Sequence, residues 1–308
     1  MKDDDPRPPR RITPLQPAHF AARPDAQPGF PLNDAAIIAL VQDALDEDAA
    51  ARDITTIATV LPGRRARATL VARESGVVCG VPLALAAFRL LDPEITIRID
   101  IEDGGDVRKG ADLLFLSGRA RGLLSAERTA LNFLQRLSGI ASLTAEFVRA
   151  VAGTKARIVD TRKTAPGRRA LEKYAVRCGG GVNHRFSLAD AVLIKDNHLA
   201  ALDGDIAEAV RRVRAHADPG TPVQVECDGI DQVRAAVAAR AESVLLDNMS
   251  LTTLRECVAL ARGHCVTEAS GGVTLATVAG IAATGVDRIS VGALTHSAPA
   301  LNLALDFE

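Results

Sequence analysis

Hydrophobic and polar positions divide the chain into a Pro-rich start, a mixed region, and a long stretch where short apolar runs alternate with amphipathic ones. Ala35–Leu45 carries apolar residues at helical spacing, with Asn33 as its N-cap and Asp53-Ile54-Thr55-Thr56 closing the segment. Ala66–Ala72, Gly76–Cys79, Ile95–Ile101 and Leu113–Ser117 read as strands, with a short helix over Ala84–Leu91. Ser125 opens a helix predicted to end before Gly139, the serine serving as cap and the glycine as stop. On it Arg128, Asn132 and Gln135 share one polar face, which a solvent-facing stripe would explain equally well.

From Ala156 onward the apolar runs are Ala156–Val159, Ala191–Ile194, Val223–Val225, Val244–Leu246, Cys265–Val266 and Ile289–Val291. Helical patterns over Ile206–Arg214, Ile230–Ala239, Leu254–Ala261 and Leu275–Ala283 separate most of them. Alternating βα units predict a parallel sheet, and six in succession predict a barrel. The fold class is therefore α/β, with a compact α+β module preceding the barrel.

Ligands of such barrels sit at the C-terminal ends of the strands. Those ends carry Thr161-Arg162-Lys163, Lys195-Asp196-Asn197-His198, Glu226, Asp247-Asn248, Glu268 with Ser270-Gly271-Gly272, and Gly292 with Thr295-His296. Between Asp160 and His198 the cations Arg162, Lys163, Arg168, Arg169, Lys173, Arg177, Arg185 and Lys195 gather around His184 and the triplet Gly179–Gly181. A solvated basic loop explains most charge runs. Ionisable residues at successive strand ends favour a pocket for a ligand with several negative charges. Ser270-Gly271-Gly272 and Val291-Gly292-Ala293 could bind phosphate on bare backbone N–H groups, although an SGG triplet alone is more often an ordinary turn. Glu226 and Asp247 are carboxylates among cations, suited to Mg²⁺, to sugar hydroxyls or to a developing cation, and otherwise to ion pairs with Lys163 or Lys195. His184 and Arg185 with Arg162 would suit a small dicarboxylate, since guanidinium forks match carboxylate geometry. A structural histidine is the plainer alternative.

Composition narrows the partners. Lys and Arg number 37 against 38 Asp and Glu, so the cationic site is local and bulk charge gives no sign of nucleic acid. With no Trp and one Tyr, base-stacking platforms are not expected. Five cysteines without a CxxC pair fit reduced thiols of a cytoplasmic protein better than disulfides or zinc. The first 31 residues hold eight of the 15 prolines and read as a disordered tail with no apolar signal-peptide core. The longest apolar run, Val77–Phe88, is too short to cross a bilayer, so a soluble protein is expected.

Several stretches then carry a resemblance: ERTALNFLQRLSGIASLT (127–144), DTRKTAPGRRALEKYAVRCGGGVNHR (160–185), DAVLIKDNH (190–198), VLLDNMS (244–250), EASGG (268–272), DRISVGALTHS (287–297) and DITT (53–56). From Leu32 to the C-terminus the chain resembles the quinolinate phosphoribosyltransferases. The resemblance implies an N-terminal α/β sandwich over 32–138, with 298–308 packing on it, and an open six-stranded α/β barrel over 139–297. It also implies a homodimer, higher oligomers being left open, and Mg²⁺-dependent transfer of phosphoribose from phosphoribosyl pyrophosphate to quinolinate. The products would be nicotinate mononucleotide, pyrophosphate and CO₂, in NAD synthesis. Carried over by motif, Arg162, His184 and Arg185 would hold quinolinate, Thr161 would belong to the substrate-binding set, and Arg128 would reach the site from the partner subunit. Lys163 and Lys195 would bind phosphate or pyrophosphate oxygens. Glu226 and Asp247 would hold the ribose and Mg²⁺, and Ser270, Gly271, Gly272, Val291, Gly292 and Ala293 the 5′-phosphate. The catalytic set would be Lys163, Lys195, Glu226 and Asp247. One departure is visible: the family often has two glutamates flanking a valine where this chain has Gln224-Val225-Glu226. Gln224 and Glu226 face the same way by strand alternation, so one charge is missing. Two alternatives remain: a paralogue of the same fold acting on another substrate, and a non-catalytic phosphosugar-binding protein.

Overall fold

A computed structural model describes residues 29–308. The expected Pro-rich tail over 1–31 lies almost wholly outside the described residues. In the N-terminal part, α1 (Asp34–Glu47), α2 (Ile54–Thr59), β1 (Arg65–Ala72), β2 (Gly76–Val77), α3 (Val81–Leu91), β3 (Thr96–Ile99), β4 (Asp106–Val107) and β5 (Asp112–Arg119) precede the long helix α4 (Ala120–Ala150). Then come β6 (Arg157–Val159), α5 (Arg169–Cys178), β7 (Val192–Ile194), α6 (Asp196–Ala200), α7 (Ile206–His216), β8 (Val223–Cys227) and α8 (Ile230–Ala238). The chain finishes through β9 (Ser243–Asp247), α9 (Leu251–Ala261), β10 (Val266–Ser270), α10 (Leu275–Ala282), β11 (Arg288–Ser290), α11 (Ala293–His296) and β12 (Leu303–Phe307).

Two main sheets result. The first is antiparallel, in the order β12-β1-β5-β3, so the last strand of the chain returns to pair with the first. The second is parallel, in the order β6-β11-β10-β9-β8-β7. Its consecutive strands β6 and β7 are opposite edges, which makes it the open six-stranded α/β barrel. The edge at β6 is extended by a single parallel bridge from Val159 to Val182. Each barrel strand alternates apolar residues facing the helices with residues facing the lumen. Cys227, for instance, is fully buried on the helix side, and burial pushes its thiol up to about 12.

Asn33 caps α1 as expected, accepting from the Ala36 N–H at 2.9 Å. Asp53 does not close that segment. It starts α2, accepting from the Thr56 N–H at 3.0 Å. The helix predicted between Ser125 and Gly139 is in fact the middle of α4, which has 31 residues. Ser125 is no cap: its hydroxyl donates to Asp53 Oδ2 at 3.0 Å. Gly139 is no stop either. A Cβ there would lie 1.9 Å from the carbonyl oxygen of Pro299, so the glycine lets the C-terminal strap cross the helix in close contact. Buried along α4, Leu123, Leu134 and Ile140 help tie it to α3 on one side and to α5 and α11 on the other. The long helix thus joins the antiparallel module to the barrel and holds the mouth of the barrel in place. None of the helices among the described residues is long and apolar enough to cross a membrane.

Candidate active site

The C-terminal ends of the barrel strands enclose a cavity of about 760 Å³. Of the cations near Asp160–His198, it takes in Arg162, Lys163, Arg185 and Lys195, together with His184. The others do structural work. Lys173 is buried against Asp160, and its Nζ also donates to the His184 carbonyl at 3.0 Å. Arg169 donates to the Phe186 carbonyl at 3.0 Å, and Arg177 lies over the Tyr174 ring at 5.7 Å. Arg168 lines a separate hollow between α1, α4 and α5. His198 accepts the Lys195 N–H at 2.9 Å and caps α6. Gly179–Gly181 form no part of the cavity either. A Cβ at Gly179 would sit 2.2 Å from the Ala141 carbonyl, so this triplet lets α5 pack against α4.

Arg162 and Arg185 form the positive part of the cavity. Arg185 is 8% exposed and anchored by Nη1 on the Ala191 carbonyl at 2.9 Å. Burial, then the neighbouring Arg162 charge, pull its pKa below the ordinary arginine value. The Arg162 Nε–H is buried without a hydrogen-bond partner among the described residues. Two guanidiniums held close and incompletely satisfied make a receptor for carboxylates, because a dianion relieves both their repulsion and their desolvation.

The carboxylates stand opposite. Glu226 pairs with Lys195 at 3.3 Å, so the expected ion pair does form, though the lysine is half exposed and open to exchange with a ligand. Asp247 has no cationic partner among the described residues and accepts from Asn248 Nδ2 at 2.7 Å. Asn248 adopts a positive φ of 53° and fits against Gly271, where a Cβ would fall 2.1 Å from Asn248 Oδ1. Gly271 itself has φ 90°, so both backbone shape and space require glycine at that turn. No group of three or more His, Cys, Asp or Glu suited to a metal occurs among the described residues. Glu226 and Asp247 nonetheless suit Mg²⁺, which keeps several waters and is commonly bound by one or two carboxylates plus substrate phosphates.

The N–H groups of Gly271, Gly272 and Gly292 donate to no acceptor among the described residues, leaving them available for a phosphate. Val291 differs: its N–H is used by the Val159 carbonyl at 2.9 Å. Lys163 runs along Gly292, where a Cβ would come within 3.0 Å of its Cδ, and Thr161 Oγ1 accepts the Lys163 N–H at 3.1 Å. Arg128 lies exposed on α4, outside this cavity and without a partner among the described residues.

Sequence reasoning placed Glu268 at a strand end without giving it a role, and it gave none to Asn248 or His296. Glu268 is fully buried on the cavity wall, and its Oε1 has no hydrogen-bond partner among the described residues. It lies two residues before Ser270 on the same strand face, so strand alternation alone could have singled it out. His296 approaches Gly292 beside Lys163, one helical turn after the glycine.

Residues 140–306 match the family described as quinolinate phosphoribosyl transferase, C-terminal domain, and residues 53–138 match the corresponding N-terminal domain. The chain is 46% identical over 272 residues to the nicotinate-nucleotide pyrophosphorylase (carboxylating) of Mycobacterium leprae, a match covering 86% of this chain and 95% of that protein. Against the probable enzyme of the same name from Bacillus subtilis, identity is 42% over 260 residues, covering 84% and 89%. The solved nicotinate-nucleotide pyrophosphorylase of Francisella tularensis superposes with a TM-score of 0.85 at 40% identity, over 90% of this chain and 98% of that one.

Proposed function

The chain belongs to the quinolinate phosphoribosyltransferase family, and we propose that its barrel cavity seats quinolinate and phosphoribosyl pyrophosphate side by side. Its reaction is the decarboxylating transfer of phosphoribose to quinolinate, which makes nicotinate mononucleotide for NAD. The observation that carries the placement is the meeting, in one cavity, of the buried Arg185 and its neighbour Arg162 with Glu226 and Asp247.

In this reading Arg162 and Arg185 hold the two carboxylates and aim the pyridine nitrogen at the anomeric carbon, a positioning effect. Thr161 supports Lys163 through its backbone. Lys163 and Lys195 bind the phosphate oxygens, and Ser270, Gly271, Gly272, Gly292 and Ala293 surround the 5′-phosphate, with Val291 supplying the wall. As the bond to pyrophosphate breaks, positive charge grows on the ribose, and Glu226 and Asp247 stabilise it from across the cavity. The same carboxylates would hold Mg²⁺, which when bound neutralises the departing pyrophosphate. Once the nitrogen is alkylated it draws electrons from the ring, the adjacent carboxylate departs as CO₂ leaving its bonding pair on the ring carbon, and that carbon takes up a proton from water.

Arg128, exposed and without a partner among the described residues, fits a homodimer in which it completes the partner's quinolinate site. We place the enzyme in the cytoplasm, where its five free thiols would persist. The test mixes two inactive variants, Arg128→Ala and Asp247→Asn. Recovered activity in the mixture, up to about a quarter of wild type for random dimers with one intact site in the mixed half, supports the shared site. Additive residual activity contradicts it.

A further inference from the structure

Behind the arginine pair lies a half-buried chain of hydrogen bonds in which one link dictates the donor of the next. The Arg185 N–H donates to His184 Nδ1 at 2.8 Å, so that ring nitrogen is the acceptor and carries no proton. The proton of the neutral ring is then on Nε2, which meets Gln224 Oε1 at 3.1 Å. Gln224 Nε2 in turn donates to Glu268 Oε2 at 3.1 Å. The main chain of His184 is held as firmly: its N–H donates to Asp160 Oδ1 at 2.8 Å and its carbonyl accepts from Lys173. Both ring nitrogens are therefore engaged inside the protein, and in this arrangement neither is offered to a ligand.

We propose that Gln224 and Glu268 are positioning residues that fix His184 as its neutral, Nε2-protonated tautomer and, through it, set the backbone from which Arg185 reaches the substrate. Part of this rests on the functional reading above, because the effect on quinolinate assumes that Arg185 binds it. The tautomer itself does not. An amide at position 224 is what makes the chain possible, since it accepts from His184 on one side and donates to Glu268 on the other. A carboxylate there could only accept, and would face Glu268 with like charge. His184 then adds no charge of its own, and the carboxylate clamp is left to Arg162 and Arg185. The second oxygen of Glu268 lies 3.5 Å from His184 Nε2 without forming a hydrogen bond, so the Gln224 amide oxygen is the acceptor for that nitrogen.

The test begins with the substrate-free, full-length enzyme, labelled with ¹⁵N at histidine, the His184 signals being assigned from a His184→Gln sample. The expected spectrum at neutral pH has a protonated, pyrrole-type Nε2 and a pyridine-type Nδ1. A proton on Nδ1, an imidazolium, or a fast mixture of tautomers overturns the relay whatever the enzyme acts on. Kinetics then tests its consequence. Gln224→Leu should raise KM for quinolinate by about tenfold, the loss of one buried hydrogen bond, while KM for phosphoribosyl pyrophosphate stays at its wild-type value. Glu268→Gln, which still offers Gln224 an acceptor, should keep both the tautomer and the quinolinate KM. Equal losses toward both substrates, or no change in Gln224→Leu, would contradict the positioning role. Should Gln224→Leu not fold, the wild-type spectrum and Glu268→Gln still decide the matter.

Discussion

Two charged regions lie back to back at the start of the barrel, and they are built in opposite ways. Behind β6, Asp160 and Lys173 are both almost fully buried, and their polar atoms are well partnered: Asp160 accepts from Lys173, from the His184 N–H and from Asn183 Nδ2 at 2.6 Å. In front, on the cavity wall, and among the described residues, Arg162 Nε is buried without a partner, Asp247 has no counter-cation, and three glycine N–H groups point at no acceptor. A fully satisfied buried network rigidifies a scaffold. An incompletely satisfied one costs stability unless a ligand supplies the missing partners. The difference therefore separates residues that hold the cavity open from those that act in it, a distinction that charge alone cannot make. Lys173 and Lys195 look equivalent in the sequence and differ in this respect.

The sharpest way to break the comparison is at the scaffold. Asp160→Ala leaves Lys173 as an uncompensated buried cation and should cost about 3–5 kcal/mol in denaturant unfolding. On the cavity wall the expectation reverses. Glu226→Gln should lower kcat/KM by roughly 10²–10³-fold, as for removal of one transition-state electrostatic contact, with the unfolding midpoint unchanged or raised. If Glu226→Gln unfolded the protein while Asp160→Ala left stability intact, the division would be wrong. A smaller effect is expected at the strap, where Gly139→Ala forces a methyl group against the Pro299 carbonyl and should cost about 1–3 kcal/mol.

The smallest expected effect is a pH dependence in the antiparallel module. Burial pushes the Asp92 carboxyl up, but the Arg119 N–H at 2.7 Å and the Arg119 guanidinium at 2.9 Å outweigh it and hold the group below the usual carboxylate range. A folded-state pKa below the unfolded one adds stability that is complete above the unfolded value of about 3.9 and disappears as pH falls through the folded value. The stability gap between wild type and Asp92→Asn should thus be present at pH 7 and close in acid. A gap that widens in acid would reverse the sign.

How much of this was legible in the sequence depended on the range of the interactions involved. The six barrel strands and most of their helices followed from local periodicity, and the strand ends gave Arg162, Lys195, Glu226 and Asp247 as neighbours before any coordinates. The errors came where distant contacts override local chemistry. Gly139 reads as a helix stop because nothing nearby shows that Pro299 crosses it, and Ser125 reads as a cap because its partner Asp53 lies in another helix. Gly179–Gly181 resemble a ligand loop for the same reason. The buried relay was only half visible: alternation puts Gln224 on the lumen side, but which groups its two ends meet is set by β10 and by the turn after α5.

In the function proposed above, the groups of the barrel mouth that lack partners among the described residues receive a dicarboxylate and a phosphorylated sugar together. The most direct measurement incubates the purified protein with phosphoribosyl pyrophosphate, Mg²⁺ and either quinolinate or nicotinate, and detects mononucleotide, pyrophosphate and CO₂. All three products are expected from quinolinate and none from nicotinate, with turnover lost in Arg185→Ala. Turnover of nicotinate, or an unimpaired Arg185→Ala enzyme, would contradict that function.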